Sequence, residues 1–549
     1  MYKLKKKSSD VIIFFYFFMF LIIGTFTARN YGVHIEEKFH RLNGFYWLNY
    51  ILNFTDFTEL KTISMNKFNN ISDHTLVAVS HFNKHGVIFD LPTAYIEILF
   101  NINNSRDFYQ LRHLLSFLFF FVSTIFFYKI LLNRFKNKNI SLIGTTFFIL
   151  SPRIYGDSFL YKDIIFLSIS TIAIYFFFKI IDKFSYKNLI IFAFFSALST
   201  HTRIMGIYLP IIFLITSFFE NLNKKQKFDF LLKNLLLLLL FLFFLIIFWP
   251  YLWSDPIKNF LDIFKSLKVD LVSFKILFNN NYISTEHIPY KYLPTWVIIS
   301  TPTLHIIFFL LGFFFISRRF IIKFLEIENI PKNKDLWFSF NEKKDFLMLF
   351  TLSTIFIFVI IHNIKLYNGW RLMYFLNTFF IYIATYSIYK IYLKIRLSKK
   401  RVSLFNLFFL VALGLVCQKM IIVHPYQSLY FNNFLSPEKK NSFEGDYHGL
   451  ASSKALIEII KINTEKKNIN IAVGSHTPLQ RGVEFLDAED KKKINIVGQE
   501  YQIADYIYKN NISEVDINFN KKYLVPVNFK KISEYKIDGI ILYEIYKRI

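Results

Sequence analysis

The run Leu235-Leu236-Leu237-Leu238-Leu239-Leu240-Phe241-Leu242-Phe243-Phe244-Leu245-Ile246-Ile247-Phe248 is followed at once by Trp249-Pro250-Tyr251-Leu252-Trp253-Ser254-Asp255-Pro256. An unbroken apolar stretch closed by aromatic residues, proline and charge reads as a helix that crosses a hydrocarbon core and ends in the interfacial belt. Runs of this kind recur in both directions. They cover about 10–28, 111–132, 139–153, 162–181, 188–202, 204–221, 230–252, 294–317, 346–364, 371–393 and 402–424, about eleven spans in all. The third and fifth are short and end in Arg153 and Arg203. Composition agrees. Of 549 residues, 54% are hydrophobic and 71 are Phe, and mean hydropathy is +0.35. These values exclude a cytosolic globule, a disordered chain and a disulfide scaffold. The single cysteine, Cys417, lies in an apolar run and has no partner for an intramolecular disulfide. The fold class is a polytopic α-helical membrane protein.

Lys and Arg number 65 against 39 Asp and Glu, a formal charge of +26. In a soluble protein that excess would suggest nucleic acid. Here the basic residues fall in alternate short connections, and no nucleic-acid partner is expected. They precede the first span as Lys3, Lys5, Lys6 and Lys7, and recur at Arg134, Lys136 and Lys138, at Lys183 and Lys187, at Lys224, Lys225 and Lys227, over 318–344 and over 394–401. The positive-inside bias then puts the N-terminus inside and the tail outside, in a multi-pass topology. Segments 29–110, 154–161, 253–293, 365–370 and 425–549 fall outside. No small-x-small cleavage site closes the first span, so it reads as a retained anchor. The chain divides into a transmembrane domain, 1–424, and an extracytoplasmic α/β domain, 425–549. The first outer loop, 30–110, carries surface helices: over 36–54, Phe39, Leu42, Phe45, Tyr46, Leu48 and Ile51 are spaced for a helix lying on the membrane. In the tail, 450–462 reads as an amphipathic helix, and 469–473, 494–497 and 539–543 read as strands.

Ionisable groups at the outer ends of the spans carry the chemistry, because charge beside a bilayer is costly. Glu36 and Glu37 follow the first span in Tyr-Gly-Val-His-Ile-Glu-Glu. A carboxylate there can take a proton from a hydroxyl or hold a divalent metal against a phosphate; an exposed Glu pair on a surface helix is the plainer alternative. The connection Ser151-Pro152-Arg153-Ile154-Tyr155-Gly156-Asp157-Ser158 leads to Tyr161-Lys162-Asp163. Arg153 and Lys162 can neutralise a phosphate, and Asp157 or Asp163 can orient a nucleophile or a cation; a helix-end turn with interfacial charges fits equally. Thr200-His201-Thr202-Arg203 and Asn368-Gly369-Trp370-Arg371 place further cations at span ends, for an anion or for structural ion pairs. No Walker-type phosphate loop and no dinucleotide fingerprint occurs, so a transferred group would arrive already activated and reachable from the membrane.

Taken together, these strings resemble the integral-membrane glycosyltransferases of the GT-C superfamily, specifically bacterial relatives of dolichyl-phosphate-mannose protein mannosyltransferase and lipid A aminoarabinose transferase. The resemblance rests on the acidic pair after span 1, Ser-Pro-Arg-Ile-Tyr-Gly-Asp-Ser with its following Lys-Asp, Thr-Arg-Ile-Met-Gly, Trp-Pro-Tyr-Leu-Trp-Ser-Asp-Pro, Gly-Trp-Arg and His-Pro-Tyr-Gln with Tyr-Phe-Asn, in that order. It implies a GT-C-like bundle with surface helices in loop 1 and a soluble outer domain. It implies catalytic roles for Glu36 or Glu37 and for Asp163, and Arg153, Arg203 and Arg371 near the lipid phosphate, with Lys162 and Asp157 among the substrate-binding residues. Relatives carry Asp-Glu where this chain has Glu-Glu. No cofactor is demanded; if a divalent cation is used, Mg or Mn on Glu36, Glu37 or Asp163 is the expected form. The implied partners are a polyprenyl-phosphate sugar donor, membrane lipids, and a lipid, glycan or protein acceptor, with transfer at the outer face and inversion. The alternative is a transporter or flippase of an anionic lipid or glycan.

Overall fold

A computed structural model describes residues 2–71, 82–83, 85–160, 162–221, 227–269, 274–326, 339–463 and 468–549. Tyr161, Lys224, Lys225 and the 327–338 part of the basic 318–344 stretch lie outside the described residues, as do the side chains of the N-terminal lysines and Lys227.

Among the described residues, eight helices are long and apolar enough to cross a membrane: Asp10–Asn30, Ser105–Phe135, Asp163–Asp182, Phe230–Phe248, Thr303–Leu325, Phe340–Ile361, Arg371–Ile395 and Lys399–Ile422. Burial sorts them. The apolar windows of Asp163–Asp182 and Arg371–Ile395 are 83% and 89% buried, whereas those of Asp10–Asn30, Phe230–Phe248, Thr303–Leu325 and Lys399–Ile422 are 22–28% buried. The first two are therefore the axis of the bundle and the other four present apolar side chains outward, as a lipid solvent allows. Cys417 sits on the last of these and is exposed.

Three expected spans are shorter. Lys138–Ile149 has 12 residues, Tyr186–Thr202 has 17 and Tyr208–Asn221 has 14. At 1.5 Å per residue the first covers roughly 18 Å. It stops before Ser151-Pro152, and the second stops at Arg203, whose backbone is extended (φ −145°, ψ 130°) before the 3-10 turn Ile204–Ile207. These early stops carry the connections that follow into the bundle, which is why Arg153 and Asp157 are buried. The expected span 294–317 is two helices, Tyr292–Ser300 and Thr303–Glu326, broken at Pro302, which lacks the N–H a continuous helix needs.

Loop 1 departs from expectation. The helix Glu37–Leu52 does not lay its apolar face on a membrane surface. Leu42, Phe45, Leu48 and Leu52 form a core with Ala94 of the helix Asp90–Leu99. Gly44 permits that contact, since a Cβ there would stand 2.3 Å from the Asp90 carbonyl oxygen. At the opposite end of the bundle Arg134, expected only as a topogenic cation, forms a buried bidentate pair with Asp345 (Nε–Oδ1 2.7 Å, Nη2–Oδ2 2.5 Å). The Tyr382 hydroxyl donates to the same carboxylate at 2.7 Å.

Beyond the bundle, β1 (Lys275–Phe278) and β2 (Asn281–Ser284) form an unanticipated hairpin. The tail holds β3 (Ile469–Val473), β4 (Ile494–Ile496), β5 (Tyr506–Lys509), β6 (Phe529–Ile537) and β7 (Ile540–Arg548) in the order β4-β3-β5-β7-β6. β3 pairs parallel with β4 and β5, and β7 pairs antiparallel with β5 and β6. The β6–β7 turn is Asp538-Gly539, with φ +50° and +82°, which favours this dipeptide. The helix Ser452–Ile462 buries Ala455, Leu456 and Ile459, as its periodicity predicts. β5 and β6 escaped the sequence reading. The tail is fastened to loop 1 and its neighbouring helix by Lys38–Glu484 (3.3 Å), Tyr109–Glu484 (2.5 Å) and Arg106–Asp487 (2.6 Å).

Candidate active site

Arg371 enters the bundle through a turn in which Asn368 and Gly369 both take left-handed backbone, φ +50° and +69°. That turn drives the guanidinium inward, and the residue is 3% exposed. Three groups from distant segments meet it. Nη2 donates to Glu36 Oε1 at 2.9 Å, Nη1 lies 2.9 Å from His34 Nε2, and Nε lies 3.2 Å from Asp163 Oδ2. The other oxygen of Asp163 pairs with Arg203. Two anions and two cations thus alternate as Glu36, Arg371, Asp163 and Arg203.

The adjacent glutamates part company. Burial raises the Glu36 carboxyl, but Arg371, His34 and His40 outweigh it and hold the group well below the usual carboxylate range. Its side chain keeps 31% of its surface, so an arriving group can reach it. Glu37 is fully buried, accepts the His34 backbone N–H at 2.8 Å and pairs with His113 Nε2 at 3.0 Å. His34 is kept neutral, lowered to about 4 by burial and by Arg371 against the pull of Glu36. Its Nδ1 accepts the Glu36 N–H at 2.9 Å, which fixes the backbone that carries the carboxylate.

Lys162 stands immediately before the helix Asp163–Asp182, with a left-handed φ of +53°. Its Nζ meets His85 Nδ1. Burial and then Arg203 lower Lys162 to about 7. Arg153, expected near a lipid phosphate, lies inside the bundle. It is 3% exposed, donates through Nε to the Tyr430 carbonyl at 2.9 Å, and lies between the rings of Trp296 and Phe431, 4.8 and 4.7 Å from their centroids. Asp157 is buried beside it, pushed up to about 7 by burial against Arg371, Tyr374 and Arg153.

The sequence reading missed the contribution of the tail. The His448 ring lies over His34 with centroids 3.8 Å apart, and its carbonyl accepts the Ile35 N–H at 3.2 Å. Glu444 accepts the Asn368 N–H at 3.0 Å, and burial pushes its carboxyl up to about 8. Tyr367 and Tyr447 cover the Arg371 guanidinium at 5.1 and 6.0 Å. The signal was Glu444-Gly445-Asp446-Tyr447-His448-Gly449, two acids, a histidine and two glycines within six residues. Beneath loop 1 a second buried network was also missed: Asp90 takes His40 Nδ1 at 3.1 Å, Asn43 Nδ2 at 2.7 Å and Arg112 Nη2 at 2.9 Å.

No protein-family model and no curated protein sequence matches this chain. Solved structures similar to it include the two that follow. One is the oligosaccharyltransferase of Archaeoglobus fulgidus in the apo form, at TM-score 0.43 and 11% identity, over 76% of this chain and 57% of that one. The other is ArnT from Cupriavidus metallidurans bound to undecaprenyl phosphate, at TM-score 0.38 and 11% identity, over 85% of this chain and 88% of that one. This chain therefore spans little more than half of the archaeal enzyme.

The donor set does not fit a divalent cation. Among the described residues no three His, Cys, Asp or Glu side chains are arranged to hold a metal. Glu36 and Asp163 are bridged by Arg371, whose guanidinium stands where a shared cation would, and Glu37 turns away to His113. What the arrangement offers is a reachable carboxylate poised beside guanidinium and ammonium groups.

Proposed function

We propose that the chain is a membrane glycosyltransferase of the GT-C type, which moves a sugar from a polyprenyl-phosphate donor to a hydroxyl acceptor on a lipid, glycan or protein. The reaction takes place at the outer face of the inner membrane, with the N-terminus in the cytoplasm. The observation that carries this reading is the convergence of Glu36, Asp163, Arg203 and Arg371, from four separated segments, into one cluster. It supports the site roles that the motif resemblance implies.

The donor is a phosphodiester and the leaving polyprenyl phosphate a monoester, so the leaving group gains negative charge as the bond from the anomeric carbon to the phosphate oxygen breaks. Arg203 and Lys162 meet that charge, and Arg371 shares it. The acceptor hydroxyl, oriented by Glu36, forms the new bond to the anomeric carbon from the opposite face, giving inversion. Its proton passes to Glu36. In the resting cluster Glu36 is a weak base because Arg371 holds it ionised. As the departing phosphate draws Arg371 toward itself, the carboxylate becomes more basic when the proton must move. Asp163 keeps both guanidinium groups in register.

The test is mass spectrometry of polyprenyl phosphate released by the purified full chain from polyprenyl-phosphate sugars, paired with envelope glycans and lipids from cells with and without the protein. Release together with a missing glycan modification supports the reading. Substrate movement across vesicles without donor consumption would replace it with the transporter alternative.

A further inference from the structure

Behind the Arg371 cluster lies a set of buried polar atoms that the transfer step does not use. Arg153 Nη2, Asp157 Oδ1 and His448 Nδ1 have no hydrogen-bond partner, in residues 3%, 4% and 4% exposed. A buried polar atom without a partner calls for one, and these three belong to residues that interact electrostatically with one another. Asp157 and Glu444 are the acids nearest Arg153, yet neither forms an ion pair with it among the described residues. The Arg153 guanidinium is held by its rings and by the Tyr430 carbonyl, so it cannot swing to a carboxylate. His448 Nε2 accepts from Asn368 Nδ2 at 2.8 Å, which leaves the ring proton on Nδ1 as the unmatched donor. His448 Nε2 also stands 4.0 Å from Asp157 Oδ1.

We propose that the Arg153–Asp157 turn and the tail residues Glu444 and His448 form the subsite for the hydroxyl groups of the transferred sugar, so that the tail domain helps to decide which sugar is accepted. This rests on the transferase reading and adds a specificity element to it. The chemistry matches hydroxyls better than phosphate. A hydroxyl both donates and accepts, and the subsite offers guanidinium and imidazole N–H donors beside carboxyl groups. A phosphate finds its cations elsewhere, at Arg203 on Asp163 and at the adjoining Lys162. The position is also right. His448 stacks on His34, which touches Arg371, so the subsite adjoins the phosphate position at the thickness of one side chain.

The test uses the full chain in lipid nanodiscs and two probes: a C55 polyprenyl phosphate without sugar, and the same lipid phosphate carrying each of a panel of pyranoses and furanoses. Affinities are read by native mass spectrometry. The wild type is expected to bind at least one sugar-bearing lipid about tenfold or more tightly than the bare one. His448→Ala and the isosteric Glu444→Gln are expected to reduce that preference to under about threefold. Their affinity for bare polyprenyl phosphate should stay within about twofold of wild type, which also reports an intact fold. Arg203→Ala should weaken both probes together. The proposal is overturned if the wild type binds bare and sugar-bearing lipids alike, if both variants keep the preference, or if they weaken both probes equally. Sugar preference lost in the variants without any transfer by the wild type would uphold the subsite and sink the transferase reading instead.

Discussion

Glu36 and Glu37 are chemically identical neighbours, and their surroundings separate them. The first meets Arg371 in a partly open cluster, and the second is enclosed with His113. Successive positions at a helix start point about 100° apart, so one carboxylate faces the site and the other the interior. Sequence could place both just after the first span but could not choose between them. Asp157 and Glu444 are distinguished in another way: burial raises them to about 7 and about 8 from ordinary values near 4. Between those limits the folded chain holds more protons than the unfolded one, so stability is greatest below pH 4 with respect to these groups and falls as pH rises through 8. Thermal unfolding in detergent from pH 5 to 9 should show that decline, and the double variant Asp157→Asn, Glu444→Gln should flatten it. An unchanged slope in the variant would mean the two carboxyls are not buried as described.

Helix lengths account for much of the site. The apolar runs marked most spans well, because hydrocarbon-crossing segments are long and uniform. Their interruptions were harder to read. Apolar runs lie on either side of Ser300-Thr301-Pro302-Thr303, which concealed the break there, and the short β5 and the charged β6 lack a clear alternating pattern. Arg134 shows the converse. Its place among basic residues suggested topology alone, whereas it ties Ser105–Phe135 to Phe340–Ile361 through Asp345, whose carboxylate also takes the Tyr382 hydroxyl of Arg371–Ile395. Removing one partner of such a buried pair leaves an uncompensated charge, so Asp345→Ala is expected to cost about 3–5 kcal/mol. Thermal unfolding should show it as a clear fall in midpoint. Asp345→Asn, which keeps an oxygen for Arg134 and Tyr382, should lose less.

Across the whole molecule, loop 1 and the tail meet on one side of the bundle, so the site is a joint product of segments over 400 residues apart in sequence. The carboxylates and arginines at the span ends were legible because charge is conspicuous among apolar runs. Glu444 and His448 were not, since a polar tail hides two more polar residues. Their docking depends on a close approach at Gly32, where a Cβ would stand 2.2 Å from the Leu450 carbonyl oxygen. Gly32→Ala should therefore loosen the tail, seen as faster hydrogen exchange over 443–451, with the bundle unaffected. Exchange equal to wild type would show that the contact is not needed. The central claim, that Glu36 works on the acceptor while Glu37 only supports the fold, is tested most directly by single-turnover release of polyprenyl phosphate from Glu36→Gln and Glu37→Gln. A loss of about 10²–10⁴-fold is expected for Glu36→Gln, with Glu37→Gln close to wild type. Full release by Glu36→Gln, or the larger loss in Glu37→Gln, would contradict the account.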